Sequence, residues 1–342
     1  MAKSVKLADI AEVVGVSIVT VSKALSGKSG VGDEMREKIK KIADEMGYRP
    51  ASVPKFQRLG STGNIGVLVA KRYLDQTSFY WQLYQKIINI ITKNGYYAIL
   101  EILDEENEKN NVLPKIICDK KIDGMISLGQ TIFKYTAFLE NNITIPLMFL
   151  DFYSAANKLD TVISDGYYGM YQLANYVISK GHKEIGFVGT VLATSSITDR
   201  YFGFCKAMKE NDLQVLEEWV IDDRMLNKET LVVDISVELP EKLPTAFVCN
   251  CDLVAYKVIK KLQERGLSVP EDISVTGYDN FAYPDPSNIP LTTYDVGMKK
   301  MATTCVETLL KKMSDEYYYK GAQIVTGQMI IRDSVKDIAN NE

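Results

Sequence analysis

From Asn64 onward the chain alternates short apolar runs with stretches of helical periodicity, and this alternation limits the possible folds more than any other feature. The spacing predicts strands at 65–70, 97–102, 124–128, 147–152, 185–189, 219–221, 246–249 and 274–278. Helices are expected between them, among others at 81–94, 169–180, 200–211 and 253–265. Near-continuous Val/Ile/Leu runs joined by helices read as parallel strands covered on both faces. The pattern runs twice, over about 64–160 and about 161–290, and 291–332 then returns a helix at 296–312 and a strand at 323–331. The expected body, 64–342, has one doubly wound lobe of about 64–160 plus 291–320 and a second of about 161–290 plus 321–335. A crevice between two such lobes, at the carboxyl ends of their strands, is a natural ligand site.

The first 50 residues follow a different pattern. Leu7, Ile10, Val13 and Val14 share a helical face, and Gly15 stops the helix. Ser17 is a good N-cap for a second helix over 18–25, ended by Ser26-Gly27. A third helix is expected from Gly32/Asp33 through Met46, with Gly47 as its C-cap. Two short helices joined by a tight glycine turn make a helix-turn-helix. Residues 48–64 combine two prolines, two glycines and basic side chains, which reads as a linker, with the hinge at 51–63.

Charge separates the two parts. Residues 1–60 carry 11 Lys+Arg against 7 Asp+Glu, and the rest carries 29 against 37. A basic head on an acidic body points to an anionic partner for the head alone. Enzymatic readings find little support: no G-x-G-x-x-G follows an expected strand, no P-loop is present, and the single histidine is His182. The five cysteines are odd in number, and Cys249-x-Cys251 has no second pair or histidine cluster to complete a metal site, so neither disulfides nor zinc are expected. No cofactor is expected. The N-terminus lacks an apolar h-region and no run reaches bilayer length, so a cytoplasmic protein without membrane contact is expected.

The ordered motifs resemble the LacI/GalR family of bacterial transcription regulators. In the head they are Asp9-Ile10-Ala11, Gly15-Val16-Ser17, Thr20-Val21-Ser22, Arg36 and Gly47-Tyr48-Arg49-Pro50. In the body they are NIGVLV at 64–69, SKGHKEIGFVG at 179–189, DRYFGFCKAM at 199–208, ERGLSVPEDISVTGYDN at 264–280, PLTTY at 290–294 and IRDS at 331–334. The resemblance implies a small all-α helix-turn-helix domain followed by two doubly wound α/β lobes like those of periplasmic binding proteins. It implies an operator-binding regulator, a repressor, controlled by a small molecule held between the lobes: a sugar or sugar derivative, or alternatively a purine or other metabolite. A solute-binding protein with the same body would need export and no DNA-binding head.

The resemblance places Ser17, Ile18, Val19, Thr20, Ser22 and Lys23 against DNA, with Ile18 and Val19 near base edges and Thr20 and Ser22 beside phosphates. Apolar readers suit thymine methyl groups, and Lys23 suits guanine O6/N7. Val16, Val21, Ala24 and Leu25 read as helix core. In the hinge, Lys55 and Arg58 fit minor-groove or phosphate contacts. Relatives insert a leucine wedge where this chain has Gln57; Phe56 is the bulky neighbour, read equally as a wedge or as packing on the body. In the body, Arg200, Asp279 and Asp151 match effector positions, and Tyr73, Phe79 and Tyr80 supply aromatic faces. Trp81 reads as core. Cys251 replaces a polar effector contact, and Val296 stands where a relative has a polar cleft residue, so Asn250 and the tyrosines are left to supply hydrogen bonds. Asp252 reads as structural, and Asp165 as either cleft or lobe crossover. A half-site binds one head weakly, so a homodimer on a near-palindrome is expected, without the coiled tail that would make a tetramer.

Overall fold

The computed structural model describes residues 5–25, 29–46, 48, 61–74, 78–154, 160–225, 235–281 and 289–339. The chain divides into two compact units, Met1–Ser61 and Thr62–Glu342.

The first unit is three helices: α1 (Leu7–Val14), α2 (Ile18–Leu25) and α3 (Asp33–Glu45). Its core is Ile10, Val21, Ala24, Ile39, Ala43 and Tyr48, with Val16 and Leu25 packed against it. α1 starts where the Lys6 N–H donates to Asp9 Oδ2 at 2.6 Å, and it ends at Gly15, whose φ of +79° suits glycine. Ser17 accepts from the Thr20 N–H at 3.1 Å and caps α2. The Arg36 guanidinium on α3 donates to the carbonyls of Ala24 (3.0 Å) and Val31 (3.3 Å), closing the carboxyl end of α2. The expected stops at Ser26-Gly27 and Gly47, and the hinge residues Lys55, Phe56, Gln57 and Arg58, lie outside the described residues.

The second unit holds the remaining elements: β1 (Asn64–Ala70), α4 (Phe79–Lys93), β2 (Tyr97–Leu103), α5 (Glu105–Lys109), α6 (Lys115–Cys118), β3 (Gly124–Leu128), α7 (Phe133–Asn142), β4 (Leu147–Leu150), β5 (Thr161–Ser164), α8 (Gly166–Ser179), β6 (Ile185–Val188), α9 (Ser195–Glu210), β7 (Val220–Ile221), β8 (Ala246–Cys249), α10 (Asp252–Glu264), β9 (Ser274–Thr276), β10 (Thr293–Asp295), α11 (Met298–Met313), β11 (Ala322–Val325) and β12 (Gln328–Ile330). One sheet has the order β11-β5-β4-β3-β1-β2 and a second the order β7-β6-β8-β9, both parallel throughout. β10 and β12 pair antiparallel beside the second sheet, joined to its end by bridges at Thr276–Thr292 and Asp279–Asp295. Strands β3, β4, β6 and β8 are buried along their whole length, which explains why they are apolar but for Ser127 in β3.

The lobe limits differ from expectation. β5 and β11 pair with each other and extend the first sheet, so the first lobe takes 161–164 and 322–325. The single strand expected at 323–331 is two strands on different lobes. The break falls at Gly327, where a Cβ would collide with the Asp295 carbonyl and the Tyr294 ring, so only glycine lets the crossing chain pass.

Candidate functional site

A cavity of about 470 Å³ lies where the carboxyl ends of both sheets face each other. In each sheet the first strand has neighbours on both sides, β2 and β3 beside β1, β7 and β8 beside β6, and the crevice opens at that switch in strand order. The loops after β1, β4, β8 and β9 bring Tyr73, Phe79, Tyr80, Asp151, Asn250, Cys251 and Asp279 to the wall, and α9 adds Arg200. All eight effector positions expected from sequence therefore share one cavity.

Arg200 organises it. Its guanidinium donates to the Asn250 carbonyl at 2.6 Å and to Asp279 Oδ1 at 3.0 Å, and it lies 4.0 Å from the centre of the Tyr278 ring. Asp151 accepts from the Tyr80 hydroxyl at 2.9 Å. Asp151 (φ +70°) and Asp279 (φ +104°) both hold left-handed backbone that costs a non-glycine residue energy, the kind of strain that gathers at binding sites. Burial pushes the Asp151 carboxyl up to about 6 against the pull of Arg200, and burial raises Asp279 to about 7 against the same guanidinium. Burial also pushes the Cys251 thiol up to about 12, so it is a thiol and not a thiolate in the wall.

Among the described residues, the aromatic faces of the lining come from the first lobe. Tyr73 and Tyr80 have ring centroids 4.4 Å apart, and Phe79 meets Tyr80 edge-on at 5.4 Å. The Tyr73 hydroxyl donates to the Gln130 carbonyl at 3.0 Å. Asn250 supplies less to the cavity than its sequence position implies: its amide N–H groups donate to the Val188 carbonyl (2.9 Å) and to Asp223 (3.0 Å). Val296 is wholly buried and does not line the cavity. Trp81 packs on Tyr84 and is also outside the lining. Asp252 accepts from the Phe281 N–H and the Thr293 hydroxyl, both at 2.6 Å, which fits its structural reading. Asp165 caps α8 at the lobe crossing, accepting from the Tyr168 N–H at 3.1 Å, and takes no part in this wall.

Sequence reasoning missed Arg72, Arg224 and Lys257, which also line the cavity. Arg72 directly precedes Tyr73 and was legible from its place after β1. Arg224 follows the two-residue strand β7, and no pattern marked it.

In the head, Ile18 and Val19 are 51% and 62% exposed on α2, beside Ser22 and Lys23 on the same helix. Thr20 is tied to Ser17 through its hydroxyl at 2.8 Å as well as its N–H. His182 is buried in the second lobe, between Thr245 Oγ1 (2.9 Å), Ser274 Oγ (3.0 Å) and the Lys336 carbonyl (3.2 Å).

Residues 6–51 match the family model "Bacterial regulatory proteins, lacI family", and residues 174–335 match "Periplasmic binding protein-like domain". The chain is 27% identical to the HTH-type transcriptional repressor PurR of Vibrio campbellii (strain ATCC BAA-1116), covering 96% of this chain and 98% of the relative. It is 26% identical to the protein of the same name from Glaesserella parasuis serovar 5 (strain SH0165), over 96% and 98%. Among solved structures, the lac repressor dimer bound to operator and the anti-inducer ONPF shares the fold, with a TM-score of 0.64 and 24% identity over 98% of this chain and 100% of that one. The transcriptional regulator CelR in complex with cellobiose shares it at a TM-score of 0.67 and 19% identity, over 96% and 99%.

Proposed function

Because the chain belongs to the lacI family of bacterial regulatory proteins, and is a DNA-binding repressor under small-molecule control and not an enzyme, we propose that its effector is a sugar held in the interlobe cavity. The observation that carries this reading is the Arg200–Asp279 pair of the second lobe sharing the cavity with Asp151 and the Tyr73, Phe79 and Tyr80 rings of the first. Fixed guanidinium donors and carboxylate acceptors match the donor-and-acceptor character of vicinal hydroxyls, and the rings match the apolar face of a pyranose. A planar base is favoured by aromatic faces on both sides; here the described lining from the second lobe mixes charged side chains with Ile197, Ile235 and Leu253 and holds no aromatic ring, which favours the sugar over a purine. CelR, a structure of the same fold, is solved with cellobiose.

Operator DNA is read by α2. Ile18 and Val19 meet thymine methyl groups, Lys23 a guanine, and Ser17, Thr20 and Ser22 the phosphates. Lys55, Phe56, Gln57 and Arg58 of the 51–63 hinge contact the minor groove. The protein acts as a homodimer on a two-fold operator, as the lac repressor dimer does.

The test is a melting-temperature screen of sugars and purines, followed by operator gel shifts with each ligand that binds. Arg200→Ala removes a buried donor pair, and the expected outcome is loss of effector response with operator affinity retained, because an unmatched polar contact costs about 1–3 kcal/mol. A sugar that still binds this variant with unchanged affinity by calorimetry overturns the site.

A further inference from the structure

The cavity carries more fixed positive charge than a neutral sugar needs. Its lining carboxylates, Asp151 and Asp279, both face Arg200. Three further cations line it: Arg72, Arg224 and Lys257.

Two of these are gripped from behind by buried acids. Arg72 donates to both oxygens of Glu108, at 2.6 and 3.0 Å, and to the Gln130 carbonyl at 2.9 Å; Glu108 is 1% exposed. Arg224 donates through Nε and Nη2 to the two oxygens of Asp223, which is fully buried. A bidentate carboxylate fixes a planar guanidinium and leaves its other edge available. For Arg224, the N–H groups other than that pair have no protein acceptor among the described residues. Lys257, on α10, has no hydrogen-bond or ion-pair partner among them either.

The two arginines come from opposite lobes and both line the cavity. The Arg72 guanidinium lies 5.0 Å from the centre of the Tyr73 ring. The Arg200–Asp279 pair suits hydroxyls, and Arg72, Arg224 and Lys257 add charged donors from both lobes.

We propose that the effector carries an oxyanion, a carboxylate or a phosphate, bound between Arg72 of the first lobe and Arg224 of the second with Lys257 assisting, so that the effector class is an acidic sugar. This rests on the interlobe sugar reading above. An anion bridging the lobes also rewards the closed form, because neither lobe supplies both guanidinium groups.

The test uses the full-length protein and a panel of hexoses, each as the neutral sugar, the uronate and the 6-phosphate, with affinities measured by calorimetry. The expected result is that one acidic form binds at least about tenfold tighter than its neutral parent, as added charge-assisted hydrogen bonds require. Which acidic form wins distinguishes carboxylate from phosphate. Lys257→Gln and Arg224→Gln are expected to weaken binding of the acidic form more than that of its neutral parent, so that the preference shrinks. Lys257 is partly exposed and has no bonded partner among the described residues, so its variant reads out even where Arg224→Gln, which strips Asp223 of its charged partner, fails to fold. A neutral sugar that binds as tightly as its acidic forms and depends on Arg200 overturns the oxyanion proposal and leaves the sugar site standing. An acidic preference that survives in Lys257→Gln and Arg224→Gln also overturns it. No binding by any member of the panel overturns both readings.

Discussion

Asp151 and Asp279 hold protons in the folded, empty cleft that they release in the unfolded chain. Their carboxyls sit at about 6 and about 7, against an ordinary value of 3.8, because burial penalises the charged form. Between pH 4 and 7 the folded state therefore binds more protons than the unfolded state, so these groups make stability fall as pH rises through that window. Sugar hydroxyls donate to carboxylates and favour the ionised form. Effector binding near pH 6.5 is thus expected to release protons, and affinity is expected to climb between pH 5.5 and 8. Calorimetry in two buffers of different ionisation heat reads this directly: the apparent enthalpies differ in the sense of proton release. In Asp279→Asn, which cannot titrate, the release is expected to shrink to the Asp151 share. Equal enthalpies in both buffers mean that the ligand does not touch these carboxylates.

At the scale of elements, α2 owes its position to α3. Val21 and Ala24 are buried in the head core, and Arg36 ties α3 to the last carbonyls of α2. Removing that guanidinium leaves those carbonyls without their charged donor and costs about 1–3 kcal/mol. Arg36→Ala is expected to lower the melting temperature of an isolated 1–61 fragment and to weaken binding to all operator sequences alike. A change in base preference without a loss of head stability argues that Arg36 reads DNA itself. Much of this architecture was legible in the sequence. α1 and α2 show helical periodicity with a cap at Ser17 and a stop at Gly15, and β4 and β8 are unbroken apolar runs, as is β1 after Asn64. What failed was short or split. β5 has four residues and β10 three, too few for a periodic signal, and β11 and β12 read as one run because Gly327 looks like any strand glycine. The site was legible at Tyr73 and Asp151, which follow expected strands at positions that the resemblance marks. It was not legible at Arg224, although a strand was expected just before it, because its partner Asp223 is visible only in three dimensions.

At the scale of the whole effector-binding unit, regulation requires the two lobes to change their relation when ligand enters, and their contacts set how readily they do so. Among the described residues three hydrogen bonds tie α9 to the first lobe. The Tyr153 hydroxyl donates to Asp199 at 2.6 Å, the Tyr153 N–H to Ser195 Oγ at 3.4 Å, and the Ser195 N–H to Gln130 Oε1 at 3.0 Å. All three reach the first turns of α9, and Asp199 immediately precedes Arg200. Each tie therefore holds the helix that carries Arg200 against the opposite lobe. A ligand that touches both lobes binds the closed arrangement, so its apparent affinity scales with the closed fraction. Tyr153→Phe deletes one tie while keeping the ring, and the net worth of such a bond is about 0.5–1.5 kcal/mol. Effector affinity is expected to fall about two- to tenfold, with the melting temperature of the empty protein nearly unchanged because Tyr153 is 36% exposed. Gln130→Ala is expected to act in the same direction, and the double variant to lose roughly the sum of the two effects, provided the bonds are separate. Small-angle scattering of the empty double variant is expected to give a larger radius of gyration than the parent. Effector affinity identical to the parent in both single variants would show that these contacts follow closure and do not govern it.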